Sequence, residues 1–374
     1  MGRGRRLRDV RRDDDGGAHG GAPQVGRPDW ISCAAAVAAG AIAIGELSGA
    51  LFPAFASRGT AIAATVTVVF TAVHWIGVRS GDLAQQVLSV LKTLALLAVA
   101  VACFTAPGAA AGTGETARVF PSGFVMASAL VLAFQSVLYT YDGWNGVTYF
   151  GGEMRDPARE VPRAMAWGVA AVALVYLSLN GAFLHVLGIE GLAGEKFAAA
   201  AAARSVFGGT GERIVSAVMA VSILGNVNAV LMQASRVPYA LAADGLLPRA
   251  IARVNAGGTP YVSLVASTGI VLALVFTGTF ETVIALAAFY YVMQYGVTFT
   301  SLFVLRRREP DLPRPYRAWA YPWIPGLVLL GAIAFIVGSF FGDRENTLHS
   351  VYVLVASYPV YLLAKRILAA GPPR

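Results

Sequence analysis

What most constrains this chain is a series of long apolar blocks that hardly contain a charge. Blocks of about 18 or more such residues are long enough to cross the hydrocarbon layer of a membrane as helices. Ten segments of this kind lie near Trp30–Phe55, Thr60–Val78, Leu83–Ala106, Phe124–Phe150, Ala164–Ile189, Ile214–Ala234, Pro260–Thr277, Val283–Leu305, Trp323–Phe341 and Leu348–Ala364. The shortest are those that begin at Pro260 and Leu348. A soluble fold with one large buried core would need a polar shell. Here 13% of residues are charged, against roughly a quarter in a soluble domain. The mean hydropathy is +0.62. The expected fold class is therefore all-α integral membrane.

The charge pattern tests that count. If the N-terminal tail is cytoplasmic and the ten spans alternate, 22 of the 29 Lys and Arg residues fall on the inside, 6 on the outside, and Lys92 within a span. Without the tail the split is still 15 to 6. This is the positive-inside bias expected for ten spans with both termini cytoplasmic. The net charge of +8 is thus a topology signal, and nucleic acid is not an expected partner. Residues 1–29, rich in Arg, Gly and Asp, show no apolar periodicity and predict a disordered cytoplasmic tail. No apolar core of a signal peptide follows the basic start within that tail. Residues 30–370 form the membrane domain.

Two loops predict structure of their own. The Ala-rich run Gly194–Phe207 reads as a short extracellular helix. Ser235–Val254 reads as an amphipathic cytoplasmic segment at the membrane interface, interrupted at Gly245 and Pro248.

Polar residues within spans are costly against lipid and so mark candidate function. The densest group is Tyr139-Thr-Tyr-Asp-Gly-Trp-Asn-Gly146, inside the fourth segment. Asp142, Gly143, Asn145 and Gly146 are all poor helix formers. Gly146–Phe150 is apolar again before the basic loop begins at Arg155, so this span predicts a broken helix. Open backbone at membrane depth survives where protein or a water-filled cavity surrounds it. Transporters aim such breaks at their substrates. Lys92 lies well inside the third segment, where a buried ammonium needs an oxygen partner or loses its proton. It reads equally as a proton-coupling group or as a structural hydrogen-bond donor. Glu46 reads as an interfacial structural residue near the outer end of the first segment, and His74 and His185 as interface residues. Asn226, Asn228, Gln233 and Gln294 read as interhelical hydrogen-bonding groups.

Cys33 and Cys103 sit in apolar segments without metal-ligand spacing and read as small hydrophobes. The chain shows no phosphate-binding glycine loop with its lysine, no HExxH and no nucleophile elbow. Neither an ATP-driven pump nor any other enzyme is expected, and no cofactor or metal. A membrane-embedded enzyme would need His and carboxylates clustered at one depth, and no such cluster stands out.

Four stretches carry a family resemblance. FQSVLYTYDGWNGVTYFGGEMRDPAREVPRAM, Phe134 to Met165, includes Glu153, Pro157, Pro162 and Arg163. The others are GVRSGDLAQQVLSVLKTLALL around Lys92, SRVPYALAADGLLP from Ser235, and LRRREPDLPRPYRAWAYP from Leu305. In this order they resemble the amino acid–polyamine–organocation (APC) superfamily, and within it the L-type amino-acid transporters and their bacterial relatives. The resemblance runs from about Trp30 to near the C-terminus. It implies a LeuT-type bundle in which the first span here matches the family's third helix, so that helices three to twelve have counterparts and the first two do not. A chain truncated at its start relative to twelve helices is the corresponding expectation.

The resemblance also assigns roles. Tyr139 falls on the aromatic gate above the substrate, Tyr141, Asp142 and Gly143 on the unwound segment, and Asn145 on a nearby polar position. Asp142 stands where relatives often carry a small residue or Asn. Lys92 falls on the lysine that proton-coupled bacterial members have in place of a sodium site. The function implied is secondary active amino-acid transport in the cell membrane by alternating access, with proton symport or amino-acid exchange. The alternative is a chain that transports nothing, either a permease fragment or a membrane interaction subunit.

Overall fold

The computed structural model describes residues 26–76, 81–108, 122–147, 156–243, 245–311, 314 and 318–369. Among them the chain forms ten α-helices and no strand. In chain order these are α1 (Gly26–Leu51), α2 (Gly59–Ile76), α3 (Gly81–Thr105), α4 (Gly123–Tyr141) and α5 (Pro157–Leu192). The second set is α6 (Ala198–Ala243), α7 (Tyr261–Thr277), α8 (Phe280–Arg308), α9 (Trp323–Gly342) and α10 (Arg344–Ala369). Each expected segment has its helix. Seven helical segments are long and apolar enough to cross a membrane by length and composition alone. The apolar stretches of α3 and α7 are shorter, Ser89–Thr105 and Tyr261–Thr277. The tail expected over residues 1–29 lies outside the described residues up to residue 25, and α1 opens at Gly26. Glu153 and part of the stretch after α8 also lie outside them.

The bundle is built around α1. Its sequence, CAAAVAAGAIAIG from Cys33, is small and apolar on every side, and a helix that is hydrophobic all round belongs in an interior. Ala34, Ala35, Val37, Ala38, Ala39 and Ala41 are fully buried. α1 packs against α2, α6, α7 and α8. Small residues let these backbones approach closely. At the crossing with α2, a methyl group added to Gly45 would overlap the carbonyl oxygen of Gly59. Two outer groups flank this centre: α3 and α5 pack on each other and on α6, while α4 and α9 pack on each other and on α8.

Outward faces are apolar instead of charged. Ile76, Leu174, Leu177, Leu327, Leu330 and Val355 are all exposed. Apolar surface on this scale needs a nonaqueous neighbour, here the lipid. Trp75 at the end of α2, Trp167 near the start of α5, and Trp319 and Trp323 at the start of α9 are exposed as well. Tryptophan at helix ends is the residue enriched at membrane–water interfaces.

Hydrogen bonds between helices complete the packing. Trp30 Nε1 donates to Ser267 Oγ at 2.9 Å, and Ser267 Oγ donates to the Ala234 carbonyl at 2.8 Å. Thr71 and Thr268 share a hydroxyl contact of 2.8 Å. Gln135 Nε2 donates to Asp343 Oδ2 at 3.0 Å, joining α4 to the end of α9. His74 and His185 each meet a backbone carbonyl, of Asn228 and Ala106, at 3.1 Å. Lys196 Nζ lies 3.4 Å from Glu46 Oε2, which ties the C-terminal part of α1 to the segment before α6.

The Ala-rich run is helical from Ala198, as expected, and Gly208 ends it: with φ 68° and ψ −165° that residue is not helical, and a kink there separates the short helix from the long remainder of α6. Ala202 packs beneath Ala100, Cys103, Leu179 and Ala182 of α3 and α5. At the other end α6 runs on through Pro238 to Ala243 before Gly245 and Pro248 stop it, the two breaks read from the sequence.

Candidate substrate site at the α4 break

α4 stops where the run of poor helix formers begins. α4 ends at Tyr141, and Asp142 is extended, with φ −64° and ψ 157°. Gly143 follows with φ +97°, a conformation that side-chain-bearing residues rarely adopt. The chain then turns, with Gly146 N–H donating to the Gly143 carbonyl at 3.0 Å. Residues 148–155 lie outside the described residues, and with them the second half of the expected broken helix.

α8 holds this break in place. Tyr295 donates its hydroxyl to Asp142 Oδ1 at 2.9 Å and accepts from Trp144 Nε1 at 3.1 Å. The Trp144 and Tyr295 rings lie 5.7 Å apart. Tyr291, one turn earlier on α8 and buried, interacts with the same carboxylate. Gln294 Nε2 donates to Asp29 Oδ1 of α1 at 3.2 Å. Hydrogen bonds from one face of α8 thus reach both α1 and the turn after α4.

The other side of the break faces α5. The Tyr141 ring stands edge to face with Tyr176, centroids 5.1 Å apart. The Tyr176 hydroxyl donates to the Thr140 carbonyl at 3.2 Å. Between these elements is a cavity of about 340 Å³ lined by Tyr141, Asp142, Gly143, Trp144, Met165 and Tyr176, among others. That volume lies within the range of small-molecule sites.

Of the residues expected at the site, Tyr141, Asp142 and Gly143 line this cavity. Tyr139 sits one turn earlier on α4, half-buried against the core of α1 and α8. Asn145 is half-buried within the turn itself. Lys92 lies elsewhere. It lines a second cavity of about 380 Å³ between α3 and α6, with Ser89, Ala95, Ala217, Val221 and Ser222. No hydrogen bond or ion pair joins it to another described residue. Trp144, Tyr176, Tyr291 and Tyr295 were missed in the sequence. The spacing Tyr291–Gln294–Tyr295, a polar stripe on one face of an apolar helix, was the signal for two of them. Among the described residues, no three His, Cys, Asp or Glu are grouped so as to hold a metal ion.

Known proteins share this arrangement of sequence. The chain is 29% identical over 239 residues to the serine/threonine exchanger SteT of Bacillus subtilis, covering 63% of this chain and 54% of that protein. It is 28% identical over 235 residues to the human large neutral amino acids transporter small subunit 2, covering 63% and 43%. It is 25% identical over 307 residues to the mouse b(0,+)-type amino acid transporter 1, covering 81% and 62%. The chain spans about half the length of the curated relatives it matches. Residues 28–363 match the family model described as amino acid permease. With that match extending over an all-helical, membrane-spanning bundle of LeuT type, the chain belongs to the amino acid permease family, a family of transporters and not of enzymes.

Proposed function

We propose that this chain is a secondary active amino-acid permease that works by alternating access, with its substrate at the α4 break. The observation that carries this reading is the stop of α4 at Tyr141, with Asp142 extended and Gly143 at positive φ beside an aromatic-lined cavity. A break of this kind offers backbone groups and one carboxylate to a small zwitterion within an apolar span. Tyr139 closes over the substrate, and Asn145 supplies a polar contact. Coupling is to protons through Lys92, which lines its own cavity, or by exchange of one amino acid for another. The chain lies in the cell membrane with both termini cytoplasmic.

A second reading, a permease-like membrane module that moves nothing, draws on the length match, about half that of the relatives. Substrate protection tests the site first. Cys33 and Cys103 are both buried, so Asn145→Cys provides a clean thiol in reconstituted protein. Amino acids should slow its reaction with a water-soluble maleimide in a saturable way. An unchanged rate across a full amino-acid panel would remove the break as the substrate site.

A further inference from the structure

The last turn of α8 carries Arg306, Arg307 and Arg308. Basic side chains at a helix C-terminus commonly bond its last free carbonyls. Here Arg314 takes that part, donating from Nη1 to the Pro310 carbonyl at 2.8 Å and from Nη2 to the Glu309 carbonyl. Arg306 is held differently. Its guanidinium carbon lies 3.9 Å from the centroid of the Tyr321 ring. That ring in turn rests against Phe303, one turn earlier on α8, with centroids 5.4 Å apart. Arg306 Nε is buried without a hydrogen-bond partner. No ion pair between described residues includes Arg306, although Glu309 and Asp311 follow it closely in the chain. A ring thus positions this guanidinium, no carboxylate neutralises it, and its terminal nitrogens are the donors left to meet a ligand.

What adjoins it is apolar and exposed. Trp319 and Trp323, two residues to either side of Tyr321, are 79% and 80% exposed. Tryptophan is the residue enriched at the membrane–water boundary. From Trp323, α9 continues with Leu327 and Leu330 exposed at helical spacing on the same face. That stretch rises roughly 10 Å, less than half of a hydrocarbon core about 30 Å thick. A cation at the interfacial level, with an apolar strip leading from it along a spanning helix, has the layout of a phospholipid's charged head and apolar chains. A guanidinium meets a phosphate with two parallel N–H donors. A soluble anion would leave the strip unused.

We infer that the elbow between α8 and α9 is a binding site for an anionic phospholipid. The lipid phosphate sits on the Arg306 guanidinium beside Trp319 and Trp323, and an acyl chain lies along Leu327 and Leu330. Arg307 and Arg308, both exposed, add positive charge that favours a head group of net negative charge over a zwitterionic one.

Phosphatidylglycerol and phosphatidylcholine with the same acyl chains separate head-group charge from apolar contact. The full chain, purified in detergent, is offered an equal mixture of the two, and the lipid it retains is counted by native mass spectrometry. Phosphatidylglycerol should be retained roughly fivefold or more over phosphatidylcholine, the contribution of one arginine near a membrane surface. Arg306→Gln should remove most of that preference. Tyr321→Leu, which keeps every charge and releases the guanidinium, should lower it as well. Arg253→Gln removes an exposed arginine elsewhere and should leave the preference intact. A thermal unfolding midpoint checks the fold of each variant, and Tyr321→Leu carries the test if Arg306→Gln does not fold. Equal retention of the two lipids by the unmodified chain, or a preference that Tyr321→Leu leaves unchanged, would overturn the site. An equal loss in Arg306→Gln and Arg253→Gln would overturn it in favour of diffuse charge. Displacement of phosphatidylglycerol by inorganic phosphate, beyond that by chloride at the same ionic strength, would overturn it in favour of a soluble anion.

Discussion

The Tyr295 hydroxyl donates a 2.9 Å hydrogen bond to Asp142 Oδ1, which fastens α8 to the point where α4 stops. The Tyr295 hydroxyl oxygen also accepts from Trp144 Nε1, so one side chain holds two residues of the turn after α4. Tyr295→Phe removes both bonds at once. A hydrogen bond to a charged group contributes about 1.5–3 kcal/mol, and Asp142 is half-buried. The expected loss is roughly 1–2 kcal/mol, read as a lower unfolding midpoint of the reconstituted protein. A midpoint equal to that of the parent would show that the tether adds nothing to stability.

Gly143 sets the direction in which the chain leaves α4. Its φ is +97°, and nothing lies within 4 Å of the place where a Cβ would stand. Gly143→Ala therefore meets no steric obstacle and acts through the backbone alone, at a cost of about 1–3 kcal/mol. Gly146→Ala is the matched control, with equally open space and no positive φ. The first variant should unfold more readily and lose substrate protection, and the second should do neither. Equal behaviour of the two would mean that the turn tolerates another backbone path.

Gly45 and Gly59 mark the closest approach of α1 and α2. A methyl group on Gly45 would overlap a backbone carbonyl, which cannot swing aside as a side chain can. Gly45→Ala should cost about 2 kcal/mol or more. Gly168→Ala on α5, with nothing within 4 Å, should be neutral or mildly stabilising. Expression and unfolding midpoint of the two variants check this contrast, and a well-folded Gly45→Ala protein would contradict the packing described for α1.

Much of this arrangement could be read from the residues, and the failures are specific. The ten helices follow from apolar runs interrupted by Arg-rich loops. The stop at Tyr141 follows from Asp142, Gly143, Asn145 and Gly146 falling together in one span. Glu46 reads as an interfacial structural residue, and in the structure it pairs with Lys196. The short Ala-rich helix was readable, but its packing was not: the kink at Gly208 turns it so that Ala202 packs under α3 and α5. Tyr176 was hidden for another reason. In an apolar helix a lone tyrosine has the signature of a core residue, and its hydroxyl partner, the Thr140 carbonyl, lies on another helix.

Lys92 tests the coupling mechanism apart from binding. Lys92 lines the α3–α6 cavity, away from the cavity at the break. If it carries the coupled proton, Lys92→Ala should abolish the stimulation of uptake by an inward proton gradient. Exchange against internal amino acid should survive. Stimulation that persists in Lys92→Ala protein would assign coupling to another group.

The most direct test of the central claim is uptake of radiolabelled amino acids into proteoliposomes carrying this 374-residue chain, with and without a pH gradient. The permease reading predicts saturable uptake that Gly143→Ala reduces and that competing amino acids block. Absence of uptake by protein shown to be folded and inserted would contradict it and favour the non-transporting module.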